Sequence, residues 1–437
     1  MDLVKRSLKH IWNPCSQMKD YEQFPLLVIK SAKGSYVELE NGQKLIDGIS
    51  SWWCHSLGHG HPRLKAALLA QMEKFEHVIF ADTTFEAIVK LSEKLANLTK
   101  TLKHVSFASD GSCAVEIAMK MSLHARYILG EHQRCKFMAL ENSYHGETGL
   151  ALSVSDMGRF RAPYEASILP QAFLKGVPYV SSTDDPLWHD CSAVWPALEA
   201  QLNPHAATLT AFLVEPIVQG SAGMMIYSQD FLKRLRQWTK ANNIHLIADE
   251  IMTGIGRTGL PLAFQYADIE PDFMCLSKGL TSGFLPFSVT LTTDAIYELF
   301  YDDYATGKTF FHSHTHSGNA LGASVALACL EVMEQENIYT QVQDNALFLK
   351  NLMQELMDET GQLINLRHLG AIVAVDLVNP QNIPRLGHRV FQEALKRGAI
   401  LRPLGNTLYW LPPLNIERDT LLDLQKITKA AIVAARV

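Results

Sequence analysis

Short, almost continuous apolar runs recur through the middle of the chain at 104–108, 137–140, 211–214, 245–248 and 273–276, with segments of helical spacing between them. A strand that is apolar on both faces has to be covered on both, and joining parallel neighbours takes a crossover long enough for a helix. The alternation therefore predicts an α/β domain, a mostly parallel sheet between helical layers. Ahead of it, Lys33-Gly34, Asn41-Gly42 and Asp47-Gly48 punctuate brief apolar stretches, so residues 1–60 read as short strands and loops. From Pro62 the period becomes helical: Leu64, Ala67, Leu68, Met72 and Phe75 share one face, and 85–98 repeats the pattern. A long helical stretch follows Asn319 to about residue 360, and shorter strands and helices finish the chain. We expect a large domain over 61–329, with 1–60 and 330–437 joining as the two parts of a smaller α+β domain.

Composition narrows the function. The 437 residues carry 39 basic and 45 acidic side chains, a net charge of -6, with no Lys/Arg cluster. Nucleic acid and anionic membrane both demand a basic face, so small molecules are the expected partners. Seven cysteines stand singly at 15, 54, 113, 135, 191, 275 and 329 without a C-x-x-C pair, which reads as a reducing, cytoplasmic setting. The first residues hold charges but no apolar core of a secretory signal, and the uncharged stretch 309–330 contains three histidines and several hydroxyls, too polar to span a membrane.

Several familiar patterns fail in context. Gly254-Ile-Gly-Arg-Thr-Gly259 has the form of the dinucleotide fingerprint, yet four residues separate it from the strand end and Leu260-Pro261 follows where a helix should open. A turn that needs glycine explains it better. Gly307-Lys308-Thr309 lacks the first Walker glycine, position 302 being Asp. The groups His55/His59/His61 and His312/His314/His316 read as loop histidines, and no metal is expected.

Chemistry concentrates at three strand ends. The run 245–248 delivers Asp249, and 273–276 delivers Lys278, both on the rim where open α/β sheets bind ligands. The run 104–108 leads into Ser109-Asp110-Gly111-Ser112 and a helix, whose N-terminal N–H groups and dipole suit a phosphate. Taken singly, these are an ion pair and a helix cap. Taken together, a phosphate cradle, a carboxylate for a ring nitrogen and a lysine for an aldehyde describe a site for pyridoxal 5'-phosphate.

The stretch Asp249-Glu-Ile-Met-Thr-Gly-Ile-Gly-Arg-Thr-Gly259 with Ser277-Lys278-Gly279 resembles the signature of the class III, fold-type I, pyridoxal-phosphate aminotransferases. Gly111-Ser112, Tyr144-His145-Gly146, Glu215-Pro216 and Thr315 ahead of Gly318-Asn319 extend the resemblance over most of the chain. Within that family, Ile11-Trp-Asn-Pro14, Ser50-Ser-Trp-Trp53, and Leu401-Arg-Pro-Leu-Gly405 through Tyr409 and Leu411-Pro-Pro413 resemble the branch that works in biotin synthesis.

The resemblance implies amino transfer from S-adenosyl-L-methionine to 8-amino-7-oxononanoate; the alternatives are lysine as donor, or another ω-amino acid substrate. Lys278 argues against a non-catalytic protein on the same scaffold. It also implies a homodimer in which Lys278 and Asp249 are catalytic and Gly111 and Ser112 hold the phosphate, while His314 and Thr315 reach it from the neighbouring subunit. Tyr144 would stack on the cofactor ring, Trp52 and Ser313 would line the substrate channel, and Tyr409 and Cys15 would stand near the substrate. Arg402 is favoured over Arg257 as the clamp for the distal carboxylate. Glu215 belongs to the polar network around the cofactor and is not assigned a catalytic role. Two departures from the family pattern, Asn13 and Cys15 in place of His and a substrate-contacting Tyr, and Ser313-His314 in place of Gly-Pro, fall on the substrate and phosphate rims.

Overall fold

The five apolar runs lie in one sheet of the computed structural model, which describes residues 2–436. Seven strands follow the order Leu102–Ala108, Ser288–Thr293, Phe273–Leu276, His245–Asp249, Leu209–Val214, Lys136–Leu140 and Ala172–Leu174. All neighbours are parallel except Ser288–Thr293, which is antiparallel to both of its partners. Side chains alternate between faces. Ala211, Leu213, Ile247 and Phe273 pack with Ala114 and Ala118 of helix Gly111–Ile128, while Phe212, Val214, Leu246 and Met274 pack with Leu91, Leu235 and Val325 on the other side. Coverage on both faces is why these strands are apolar throughout.

Ser288–Thr293 gave no apolar signal, although five of its six residues are buried. Its hydroxyls are satisfied by main-chain carbonyls: Ser288 donates to Asp110 at 2.6 Å, Thr290 to Ala114 at 2.7 Å and Thr292 to Asp272 at 3.1 Å. A buried hydroxyl with a partner costs little, so a hydroxyl-rich strand can lie inside a sheet.

The terminal pieces meet in a second sheet. Ile29–Lys33, Tyr36–Leu39 and Lys44–Asp47 form an antiparallel run, and Ala399–Ile400 adds to Lys44–Asp47 in parallel. A further sheet of Leu363–Leu369, Ile372–Leu377 and Thr407–Trp410 shares a core with the helices Ile338–Thr360, Leu386–Arg397 and Arg418–Ala434. Two expectations need correction. Helix Ala320–Gln335 runs through residue 329 and packs on Pro62–Met72 and Glu86–Asn97, so the chain changes direction at Asn337, with φ 52°, rather than at 329. Residues Leu3–His10 form a helix capped by the Asp2 side chain; no glycine or proline interrupts that stretch, so turn-based reading had nothing to work on there. Among the described residues no helix is long and apolar enough to cross a membrane.

The turn after His245–Asp249 is held from inside by Glu250. Its carboxylate accepts from Phe264 N at 2.8 Å and Thr253 Oγ1 at 2.6 Å. Burial pushes the Glu250 carboxyl up to about 7 from 4.5. A carboxyl raised in the folded state adds stability that is complete below the unfolded value and lost as pH rises through the folded one. Glu250→Gln should therefore gain on the wild type by on the order of 2–3 kcal/mol between pH 4.5 and 8. Urea unfolding across that range reads the difference, and two parallel pH curves would refute it.

Candidate active site

Asp249 ends its strand buried, in register with Cys275 of the strand that leads to Lys278. Its Oδ1 accepts from Ile251 N at 3.1 Å, and its Oδ2 lies 2.8 Å from His145 Nδ1. The His145 ring is fully buried, and its Nε2 has no hydrogen-bond partner among the described residues. Lys278 follows Phe273–Leu276 with φ 42°, a left-handed backbone that a non-glycine residue holds only under constraint. Its Nζ lies 4.8 Å from the Trp53 ring centroid. Burial pushes the amine below its ordinary value, against the pull of Asp249 and Glu215, which favours a neutral nucleophile.

The phosphate end is equally built. Asp110 caps helix Gly111–Ile128 by accepting from Cys113 N at 3.0 Å. Side chains are excluded around it: a Cβ on Gly111 would sit 2.8 Å from Ile251 Cδ1, and one on Gly146, at φ 126°, 1.9 Å from Ser112 Oγ. Ser112 Oγ accepts from Glu147 N at 3.0 Å, tying the 144–147 loop to the helix start. Tyr144 N donates to Glu215 Oε1, and Gly220 N donates to Oε2, both at 3.0 Å. Burial lifts the Glu215 carboxyl to about 7.

The double tryptophan sits on a strained turn. Ser50, Ser51 and Trp53 have φ of 50°, 61° and 65°, conformations that cost roughly 1–3 kcal/mol each. Trp53 is buried, and its indole donates to the Tyr409 hydroxyl at 2.9 Å. Trp52 is half exposed, and the Arg402 guanidinium stacks 4.3 Å from its ring centroid. Arg402 also reaches the Cys15 carbonyl at 3.5 Å.

A cavity of about 440 Å³ joins these parts, lined by Trp52, Trp53, Gly111, Ser112, Tyr144, His145, Glu215, Asp249 and Lys278 among others. These residues fit pyridoxal phosphate: a glycine-serine cradle at a helix start, a buried carboxylate steadied by histidine, and a lysine amine favoured neutral. Among the lining residues Lys278 supplies the one amine.

Other expected residues fall elsewhere. Tyr409 does not line the cavity; it is buried beside Trp53 and accepts from that indole. Cys15 is exposed, offering Arg402 its carbonyl rather than placing its thiol in the cavity. Arg257, the rival clamp, is buried and bonds the carbonyls of Pro412 and Ala371 and the Ser50 hydroxyl. Ser313, His314 and Thr315 lie outside the lining of their own chain's cavity: Ser313 and Thr315 are exposed, and the Thr315 carbonyl faces His77 Nε2 at 2.8 Å.

Sequence reading passed over His145, which stood in a quoted motif but carries no spacing to Asp249, and Trp53, whose burial distinguishes it from its neighbour. The dinucleotide-like Gly254–259 segment is a run of turns in which Gly256 and Gly259 have φ of 85° and 102°. The His55 and His59 ring centroids lie 3.9 Å apart with the rings tilted by 40°, His59 bonds Asp47, and His312 Nδ1 lies 2.8 Å from Lys120.

A family model described as Aminotransferase class-III matches residues 17–432. The adenosylmethionine-8-amino-7-oxononanoate aminotransferase of Helicobacter pylori is 39% identical over 422 residues, spanning 96% of this chain and 94% of its own. The protein of that name from Synechococcus elongatus is 39% identical, spanning 95% and 96%. The crystal structure of the adenosylmethionine-8-amino-7-oxononanoate aminotransferase from Methanocaldococcus jannaschii matches with a TM-score of 0.91 at 31% identity, over 100% of this chain and 99% of that one.

Proposed function

Because the chain belongs to the class III aminotransferases, pyridoxal-phosphate-dependent enzymes, we propose that it moves an amino group from S-adenosyl-L-methionine to 8-amino-7-oxononanoate, giving 7,8-diaminononanoate for biotin. The observation that carries the acceptor is Arg402: its guanidinium carbon sits over the ring of Trp52, a lining residue of the cavity, 4.3 Å from the centroid, and it is paired with no carboxylate of the described residues. A planar fork held this way suits the carboxylate at the far end of the acceptor chain.

When bound, pyridoxal phosphate supplies an aldehyde that takes up amines and a cationic ring that draws electrons from the substrate Cα. Lys278, favoured neutral by burial, would hold the cofactor through its aldehyde and would move the proton at the substrate Cα. Asp249 would hold the ring nitrogen of the bound cofactor in its protonated form, and His145 fixes the orientation of that carboxylate. Gly111 and Ser112 would receive the phosphate at the helix start. Tyr144, its backbone held by Glu215, would flank the cofactor ring. Trp52 and Trp53 keep water from the reacting carbon.

Ser313, His314 and Thr315, displaced from their own cavity, are read as serving that of a second copy in a homodimer of the cytoplasm. The test of the reaction is direct: protein, cofactor and 8-amino-7-oxononanoate are incubated with either S-adenosylmethionine or lysine, and diaminononanoate is sought by mass spectrometry. Product with S-adenosylmethionine supports the reading, product with lysine alone moves the donor, and product with neither defeats the acceptor. Arg402→Met should lower kcat/KM for the acceptor about 100-fold, as loss of a charge-assisted pair would. The donor half-reaction should change little, because the donor's carboxylate adjoins its reacting carbon and does not extend to the far clamp. Equal losses in both halves would remove Arg402 from that role.

A further inference from the structure

Asp47 lies at the end of strand Lys44–Asp47, fully buried, outside the cavity lining. Its Oδ1 accepts from Ile49 N at 3.3 Å and Ser51 N at 2.9 Å; its Oδ2 accepts from the same Ser51 N–H at 2.7 Å and sits 2.8 Å from His59 Nε2. An aspartate bonding the backbone two and four residues ahead is an ordinary turn device. Here the clamped residue is Ser51, whose φ 61° and ψ -94° depart from helical geometry within the Ser50–Trp53 turn.

The two tryptophans depend on that turn unequally. Trp53 has locks of its own, burial and the bond from its indole to Tyr409. Trp52, half exposed, is placed by the backbone of Ser51 and by its stack on Arg402. The sheet completes the link: Ile400 pairs with Asp47, and Gly48 N donates to the Ile400 carbonyl at 3.2 Å, two residues before Arg402. Both halves of the stack thus follow shortly after the paired strand ends Asp47 and Ile400.

We infer that Asp47 is a positioning residue for the acceptor: by holding Ser51 in its left-handed conformation it sets the Trp52 ring under Arg402, and so aims the guanidinium that takes the acceptor's carboxylate. The inference rests on the reading of Arg402 given above. Asp47→Ala should raise KM for 8-amino-7-oxononanoate by roughly 10- to 50-fold, in line with the cost of slight misplacement by a remote change. The donor half-reaction should stay within about 3-fold. Asp47→Asn, whose amide oxygen still accepts from Ser51 N–H, should recover most of the loss. In an Arg402→Met background Asp47→Ala should cost no more than about 2-fold further, because both changes act on one contact. Near-ultraviolet circular dichroism of the cofactor-free protein should show an altered tryptophan band for Asp47→Ala beside an unchanged far-ultraviolet spectrum. If Asp47→Ala does not fold, Asp47→Ser carries the same comparisons.

Additive losses in the double variant, or equal losses in both half-reactions while Arg402→Met remains selective for the acceptor, would overturn the inference alone. Loss of that selectivity in Arg402→Met itself would overturn the acceptor reading and this inference with it.

Discussion

Lys278→Ala should abolish amino transfer, lowering turnover by about 10^4-fold or more, the scale seen when the nucleophile of a concerted site is deleted. Lys278 supplies the one amine among the cavity-lining residues, so no neighbour can stand in for it. Burial lowers its proton affinity, which keeps a lone pair for the aldehyde carbon and later lets the same atom carry a proton at Cα. Alanine leaves Asp249, His145, Tyr144 and the helix start untouched, so the variant should still bind the cofactor, without covalent attachment. Borohydride treatment followed by mass spectrometry separates the cases: the wild type should gain the mass of the cofactor at Lys278, and the variant should gain none. A variant that retains activity within ten-fold of wild type would place the chemistry on another residue.

The sheet was legible because its strands are buried on both faces, which leaves few choices but Val, Ile, Leu, Phe and Ala. Legibility failed where a polar side chain finds a main-chain partner, as in Ser288–Thr293 with its three hydroxyl-to-carbonyl bonds. It failed again at Asn337, where two helices join without glycine or proline to mark the turn. Within the site, residues delivered by strand ends could be placed from sequence, since the topology of an α/β sheet fixes which ends share a rim. Residues that act through another side chain could not. Tyr409 was expected beside the substrate and instead accepts from the Trp53 indole, while His145 meets Asp249 from a different loop. Asp47 lay unnoticed in a turn signal, because its significance depends on the φ of Ser51 and the neighbour of Trp52.

Asp249→Asn should cost about 10^3-fold in turnover, at the upper end of what removal of one preorganised electrostatic partner does. Asparagine keeps the shape, and its oxygen can still accept a hydrogen bond. What it cannot do is balance a positive charge on the ring nitrogen in a site screened from water, where a charge is worth far more than in solution. The same substitution disturbs the other side of the network, because His145 Nδ1, now 2.8 Å from a carboxylate oxygen, would meet a neutral amide. His145→Gln separates the two effects: it preserves the Asp249 charge and loosens only its orientation, so its loss should be about 10-fold. The ordering is the test. If His145→Gln proves as costly as Asp249→Asn, orientation rather than charge governs the ring nitrogen; if both stay within a few-fold of wild type, Asp249 does not hold that proton, and its pairing with His145 is structural.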